Sequence, residues 1–172
     1  MARREILQLG NPALRVKCSP VVRGDDVRGL IGDLLDTLHA FRAERGFGRG
    51  IAAPQLGSAQ RVIVIDIERP VAFINPVIVR RSRQQMTLWD DCFSFPDILV
   101  KVNRSLSIDL RYQDEEGKKR TLRAESGLSE LLQHEIDHLN GILAIDRAVD
   151  SKHIVFRSEY ERWVHRDGKL VM

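Results

Sequence analysis

Two histidines four residues apart, with a glutamate directly after the first, constrain this chain more than any other feature. His134, Glu135 and His138 form H-E-x-x-H inside a stretch predicted to be helical from near Ser126 to Gly141, with Leu128, Leu131, Leu132 and Leu139 on its apolar side. Four residues are about one helical turn, so both imidazoles can reach one cation. Glu135 projects from the same turn, where its carboxylate can take a proton from a water held beside that cation. A chance match in a chain of this length has odds of roughly one in a few hundred. The bland alternative is two half-buried histidines and a surface glutamate.

Two protein ligands fall short of the three usual in a catalytic zinc-type site. A third histidine in the pattern H-E-x-x-H-x-x-G-x-x-H would stand at Ala144; the chain reaches Gly141 and then departs from it. Glu159 or Glu161 offers a downstream carboxylate, the arrangement of a zinc endopeptidase. Cys92, in Asp90-Asp91-Cys92-Phe93-Ser94-Phe95-Pro96, offers a thiolate. The residues alone leave both open. Cys18 reads as a small buried hydrophobe.

The chain has 172 residues, enough for one buried core, and is read as a single domain over 1–172. With 43% hydrophobic and 30% charged residues, no apolar run approaches the roughly 20 residues that span a bilayer, so no membrane is expected as partner. The opening MARREILQLG lacks an apolar signal-peptide core, and two cysteines make a disulfide framework improbable. Both point to the cytoplasm. The net charge of +3 favours anionic surfaces such as ribosomal RNA, but the basic residues are scattered and form no DNA-binding motif.

Val27, Leu30, Ile31, Leu34, Leu35, Leu38 and Phe41 recur at helical steps, with Asp25 or Asp26 placed to cap the start and Gly46 to end the helix. Gly46, Gly48 and Gly50 then open a loop that lets backbone approach a ligand closely. Arg61 to Ile67 and Ala72 to Val79 are β-branched runs, and Leu106, Ile108, Leu110 and Tyr112 alternate before a turn at Asp114–Gly117 and a further strand around Thr121 and Leu122. Ser151 to Arg166 is predicted to be helical. Strands grouped between helices imply an α+β fold: antiparallel-rich β-sheets around a central metal-binding helix, with one N-terminal and one C-terminal helix. His39, His153 and His165 are expected at the surface or satisfied, and Trp89 and Trp163 in packing roles.

Three segments together resemble peptide deformylases: Gly48-Arg49-Gly50-Ile51-Ala52-Ala53-Pro54-Gln55, Asp90-Asp91-Cys92-Phe93-Ser94 and Gln133-His134-Glu135-Ile136-Asp137-His138. Their order and separations match too, and the resemblance runs from about Leu9 to Ala148. It implies one divalent metal ion, Fe²⁺ or Zn²⁺ with Ni²⁺ or Co²⁺ also accepted, held by Cys92, His134 and His138. It gives Glu135 the proton shuttle, and gives Gln55 and the backbone N–H of Phe93 the developing oxyanion. It lines the substrate groove with Gly48, Arg49, Gly50, Asp91 and Glu130. The implied substrate is an N-formylated peptide or nascent chain, and the implied partner a ribosome.

The chain departs from the family pattern at charged positions. Asp90-Asp91-Cys92 stands where Glu-Gly-Cys is usual, Arg49 where the residue between the glycines is usually aliphatic, and Glu130 at a usually apolar helix position, with Gly127 smaller than usual. Burying a methionine side chain against such groups forfeits much of the roughly 1.5–3 kcal/mol expected from apolar burial. A more polar pocket is expected, or a pairing of Arg49 with Glu130 or Asp91 that closes or reshapes it. A non-catalytic binding module with the same scaffold is the third reading, beside deformylase and endopeptidase.

Overall fold

A computed structural model describes residues 3–163. The first helix, α1 (Arg28–Arg45), buries Ile31, Leu34, Leu38 and Phe41, the i, i+3, i+4 set read from the sequence. The Asp26 carboxylate accepts the Arg28 N–H at 3.1 Å, and Gly46, at φ 77°, ends the helix by donating to the Arg42 carbonyl.

Eight strands follow in chain order: β1 (Gly50–Ala52), β2 (Val62–Asp66), β3 (Pro70–Arg81), β4 (Gln85–Asp91), β5 (Ile98–Ser105), β6 (Ser107–Gln113), β7 (Lys119–Glu125) and β8 (Ile154–Phe156). Helix α2 (Ser126–Leu139) comes between β7 and β8, and α3 (Arg157–Trp163) comes last. The strands form a five-stranded sheet in the order β1-β2-β3-β6-β7 and a three-stranded sheet in the order β4-β5-β8. Every strand pairing is antiparallel. The architecture is α+β, as expected.

Strand β2 shows why its sequence is an unbroken β-branched run. Val62 and Val64 face one core with Leu34, Leu38 and Phe41 of α1, while Ile63 and Ile65 face a second with Leu131, Leu132, Ile136 and Leu139 of α2. A strand covered on both faces has no solvent side to alternate with. Helix α2 packs against β1, β7 and β5, so that every residue from Ser129 to Leu139 is buried. Its polar residues therefore sit inside the protein and need partners there.

The C-terminal expectation is corrected. Ser151–His153 is a 3₁₀ turn and Ile154–Phe156 is strand, because this β-branched and aromatic run pairs with Ile98–Val100 of β5. The helix spans only Arg157–Trp163, and residues 164–166, with His165, lie outside the described residues. Trp163 is exposed, donating its indole N–H to Glu159 rather than packing. Strands β4 and β5, which carry the site, were not anticipated as strands. Cys18 is buried, as read.

Candidate metal centre

Cys92 follows the last residue of β4, in a turn closed by the Phe95 N–H donating to the Cys92 carbonyl. Its Sγ lies 3.2 Å from Nε2 of His138, which is itself 3.2 Å from Nε2 of His134. The three ligand atoms all lie within 4.8 Å of one another, and all three residues are buried. A tetrahedral cation with bonds of about 2.0–2.3 Å spaces its donors roughly 3.3–3.6 Å apart, so this set fits such an ion with small adjustment. Glu159 and Glu161, the rival third ligands, are exposed on α3, where Glu159 is engaged by Arg162 and Trp163.

A buried ion-pair chain orients the rings. Asp90 of β4 contacts Nδ1 of His134 at 2.9 Å, which leaves Nε2 to face the cluster. Arg104 of β5, itself buried, donates to Asp90 at 3.0 Å and to Asp137 of α2. Arg147 also donates to Asp137, at 2.9 Å. Burial opposes ionisation of Asp90, but His134 and Arg104 outweigh it and hold the carboxyl down at about 2. Burial pulls His138 well below the usual imidazole value, and a neutral ring is the form that binds a metal. The sequence reading gave no role to Asp90, Arg104 or Asp137; a carboxylate flanking each metal-type motif was the available signal.

Glu135 has its Oε2 buried and without a partner among the described residues, and burial pushes its carboxyl up to about 7. An acid poised near neutrality can take and return a proton in one cycle. Gln55, in a 3₁₀ turn after β1, accepts the Ala52 N–H at 2.9 Å with Oε1, while Nε2 lies 3.3 Å from Ser94 Oγ and 3.7 Å from Cys92 Sγ. The amide is thereby fixed with its donor end towards the cluster. Gln55, Phe93, Glu135 and His134 line one cavity of about 500 Å³ together with Gly48, Arg49, Gly50, Asp91 and Glu130. The structure thus brings together the residues that the family resemblance assigns to the site, with buried His138 joined through the ligand cluster, and leaves Glu159 and Glu161 outside it.

The glycines are required by contact. A Cβ on Gly48, at φ 124°, would fall 2.4 Å from the Phe93 ring, and one on Gly50 would fall 2.9 Å from Glu135 Oε1. The charged departures are paired. Arg49 Nη2 donates to Glu130 Oε2 at 2.6 Å, and Arg157, whose Cζ lies 4.2 Å from the Phe47 ring centroid, donates through Nη2 to Asp91 Oδ2 at 2.9 Å. Asp91 therefore pairs with the C-terminal segment and not with Arg49.

Comparison with known proteins agrees with this geometry. The family profile described as polypeptide deformylase matches residues 3–153. A peptide deformylase of Rhizobium meliloti is 39% identical over 153 residues, covering 85% of each chain. The solved peptide deformylase of Synechococcus elongatus in complex with actinonin superposes with a TM-score of 0.81 at 35% identity, over 87% of this chain and 81% of that one. That of Legionella pneumophila superposes with the same TM-score at 34% identity, over 94% and 92%.

Proposed function

The chain belongs to the polypeptide deformylase family, and from that premise we propose that it hydrolyses the N-formyl amide at the amino terminus of peptides or nascent proteins, giving formate and a free amine. The observation that carries the reading is the convergence of the ligand atoms of Cys92, His134 and His138 within 4.8 Å of one another, with Cys92 and His134 lining one pocket with Glu135 and Gln55. We take residues 1–172 as one domain.

Cys92, His134 and His138 would hold one divalent ion, Fe²⁺ or Zn²⁺, with Ni²⁺ or Co²⁺ also compatible with a thiolate and two imidazoles. Bound there, the ion supplies a Lewis acid for the formyl carbonyl and lowers the pKa of its water. Glu135 takes the proton from the attacking water and delivers it to the departing nitrogen, general base turned general acid. Gln55 Nε2 and the Phe93 N–H donate to the oxygen that gains charge as the carbonyl becomes tetrahedral. Gly48 and Gly50 let substrate backbone approach, Asp91 stands on the groove rim, and Arg49 and Glu130 wall the space for the first side chain. Nascent chains on a ribosome in the cytoplasm are the natural source of such termini, and the net charge of +3 favours approach to ribosomal RNA. Among the described residues, no helix is long and apolar enough to cross a membrane.

The test is to load the purified protein with Fe²⁺ or Zn²⁺, supply formyl-Met-Ala and formyl peptides with polar first residues, and measure formate and free amine. Turnover that disappears in Glu135→Ala supports the proposal. Formate below the level of the Glu135→Ala protein with every peptide, despite bound metal, would replace it with the binding-module reading. Internal cleavage of an unformylated peptide would replace it with the endopeptidase reading.

A further inference from the structure

We infer that the pocket beside the metal centre prefers a formylated residue whose side chain is uncharged and accepts a hydrogen bond, an amide or a hydroxyl, over an apolar one; this rests on the deformylase reading of the site. Glu130 precedes His134 by four residues on α2, so it lies on the same helix face about 6 Å along the axis. A formylated peptide branches into its first side chain at Cα, two bonds from the formyl carbon, or roughly 2.5 Å. A side chain of ordinary length therefore reaches the turn that carries Glu130.

The cavity is lined by the apolar Leu88 and Leu131 as well as by Arg49 and Glu130. Glu130 is sunk in the wall, its side chain 7% exposed, whereas the Arg49 side chain is 47% exposed. Arg49 is held by Glu130 and by the Gly127 carbonyl, to which Nη1 donates at 3.3 Å. A Cβ on Gly127 would stand in ordinary van der Waals contact with that nitrogen, at 3.5 Å, so the guanidinium lies directly over this residue. The pair is a constructed part of the wall.

Charge balance selects the occupant. Arg49 is neutralised by Glu130, Arg42 pairs with Asp66, Asp91 with Arg157 and Asp90 with Arg104, and Glu135, the remaining acid of the cavity, is committed to the proton shuttle. A charged side chain entering here is desolvated without a counter-ion. An apolar side chain covers guanidinium N–H groups and leaves them unpaired. A neutral acceptor meets them, and a site that hydrogen-bonds its substrate discriminates against analogues that lack the acceptor.

The experiment measures kcat/KM of the Zn²⁺-loaded protein on formyl-Gln-Ala-Ser, formyl-Met-Ala-Ser and formyl-Glu-Ala-Ser, with calorimetric binding of the deformylated tripeptides as a second readout. Glutamine is expected to exceed methionine by about tenfold, the scale of one hydrogen bond to a charged group, and to bind more tightly as product. Arg49→Leu with Glu130→Leu should reverse that ratio. Glu130→Gln, which keeps the wall's volume but frees the guanidinium charge, should raise formyl-Glu relative to formyl-Gln by about tenfold. Methionine preference in the wild type, or ratios unmoved by these variants, overturns the inference. Absence of formate from every peptide overturns the proposed function instead.

Discussion

Arg104→Met tests whether the metal centre is held in place from the far side of α2. Arg104 is 4% exposed and stands between two buried carboxylates, Asp90 and Asp137. Methionine fills a similar volume but leaves both carboxylates facing one another without the intervening cation. Breaking a buried ion pair by removing one partner costs about 3–5 kcal/mol. For 172 residues the unfolding entropy is about 0.36 kcal/mol/K, so the melting temperature should fall by roughly 8–14 °C. Asp90 also orients His134, so metal affinity should fall about 10–100-fold. Arg147→Met is the internal control: it removes a second donor from Asp137, but Arg147 is 44% exposed, and solvent screening limits its loss to about 1 kcal/mol. Thermal unfolding of the metal-free proteins and competition with a chromophoric chelator read the two effects separately. Equal behaviour of the two variants would refute the claim that burial of Arg104 sets the size of the effect.

Gly48→Ala should destabilise the protein by about 1–3 kcal/mol, since it meets both a positive φ and the Phe93 ring; denaturant unfolding checks this, and a neutral change would mean that the loop yields. In the metal-free protein Asp90 and Glu135 should give opposite pH dependences. Asp90, at about 2 against an ordinary 3.8, contributes about 2 kcal/mol that is present above pH 4 and lost as pH falls towards 2. Glu135, at about 7 against 4.5, favours the folded state fully below pH 4.5, and about 3 kcal/mol of that is lost as pH rises through 7. Urea unfolding at pH 3, 5 and 8.5 should show the lower slope missing in Asp90→Asn and the upper one in Glu135→Gln; slopes unchanged by these substitutions would contradict the assignment.

How much of this was legible in the sequence follows from where the constraints act. Helices α1 and α2 and strands β2, β3, β6 and β7 were readable because each presents a periodic apolar face or an unbroken apolar run against a core. Of the candidate ligands, His134 and His138 were readable from helical periodicity, whereas Cys92 was singled out only by the resemblance of its segment to the family motif. Strands β4 and β5 were missed because Trp89, Asp90, Lys101 and Arg104 interrupt their apolar pattern, Asp90 and Arg104 with side chains that orient His134. The C-terminal helix was drawn too long because Ile154–Phe156 is also compatible with an apolar helix face; only its pairing with β5 decides for strand.

The charged departures show a different limit. Arg49 and Glu130 lie 81 positions apart, and Asp91 and Arg157 lie 66 apart, so nothing local pairs them; Arg49 with Glu130 was one of two pairings expected, and Asp91 with Arg157 was not expected. Taken singly, each is a charge placed in a groove that should be apolar. Taken together, each pair is close to neutral, and the cost of desolvation is offset within it. The two members of the first pair are not equivalent. Without Arg49, Glu130 is left charged in a wall that exposes 7% of it, whereas without Glu130 the half-exposed Arg49 is still met by solvent. The chemistry of the pocket is therefore a property of the pair. Because Leu131, Leu132 and Ile136 of the same helix carry the packing against the sheet, that chemistry can change without altering the fold that brings Cys92, His134 and His138 together.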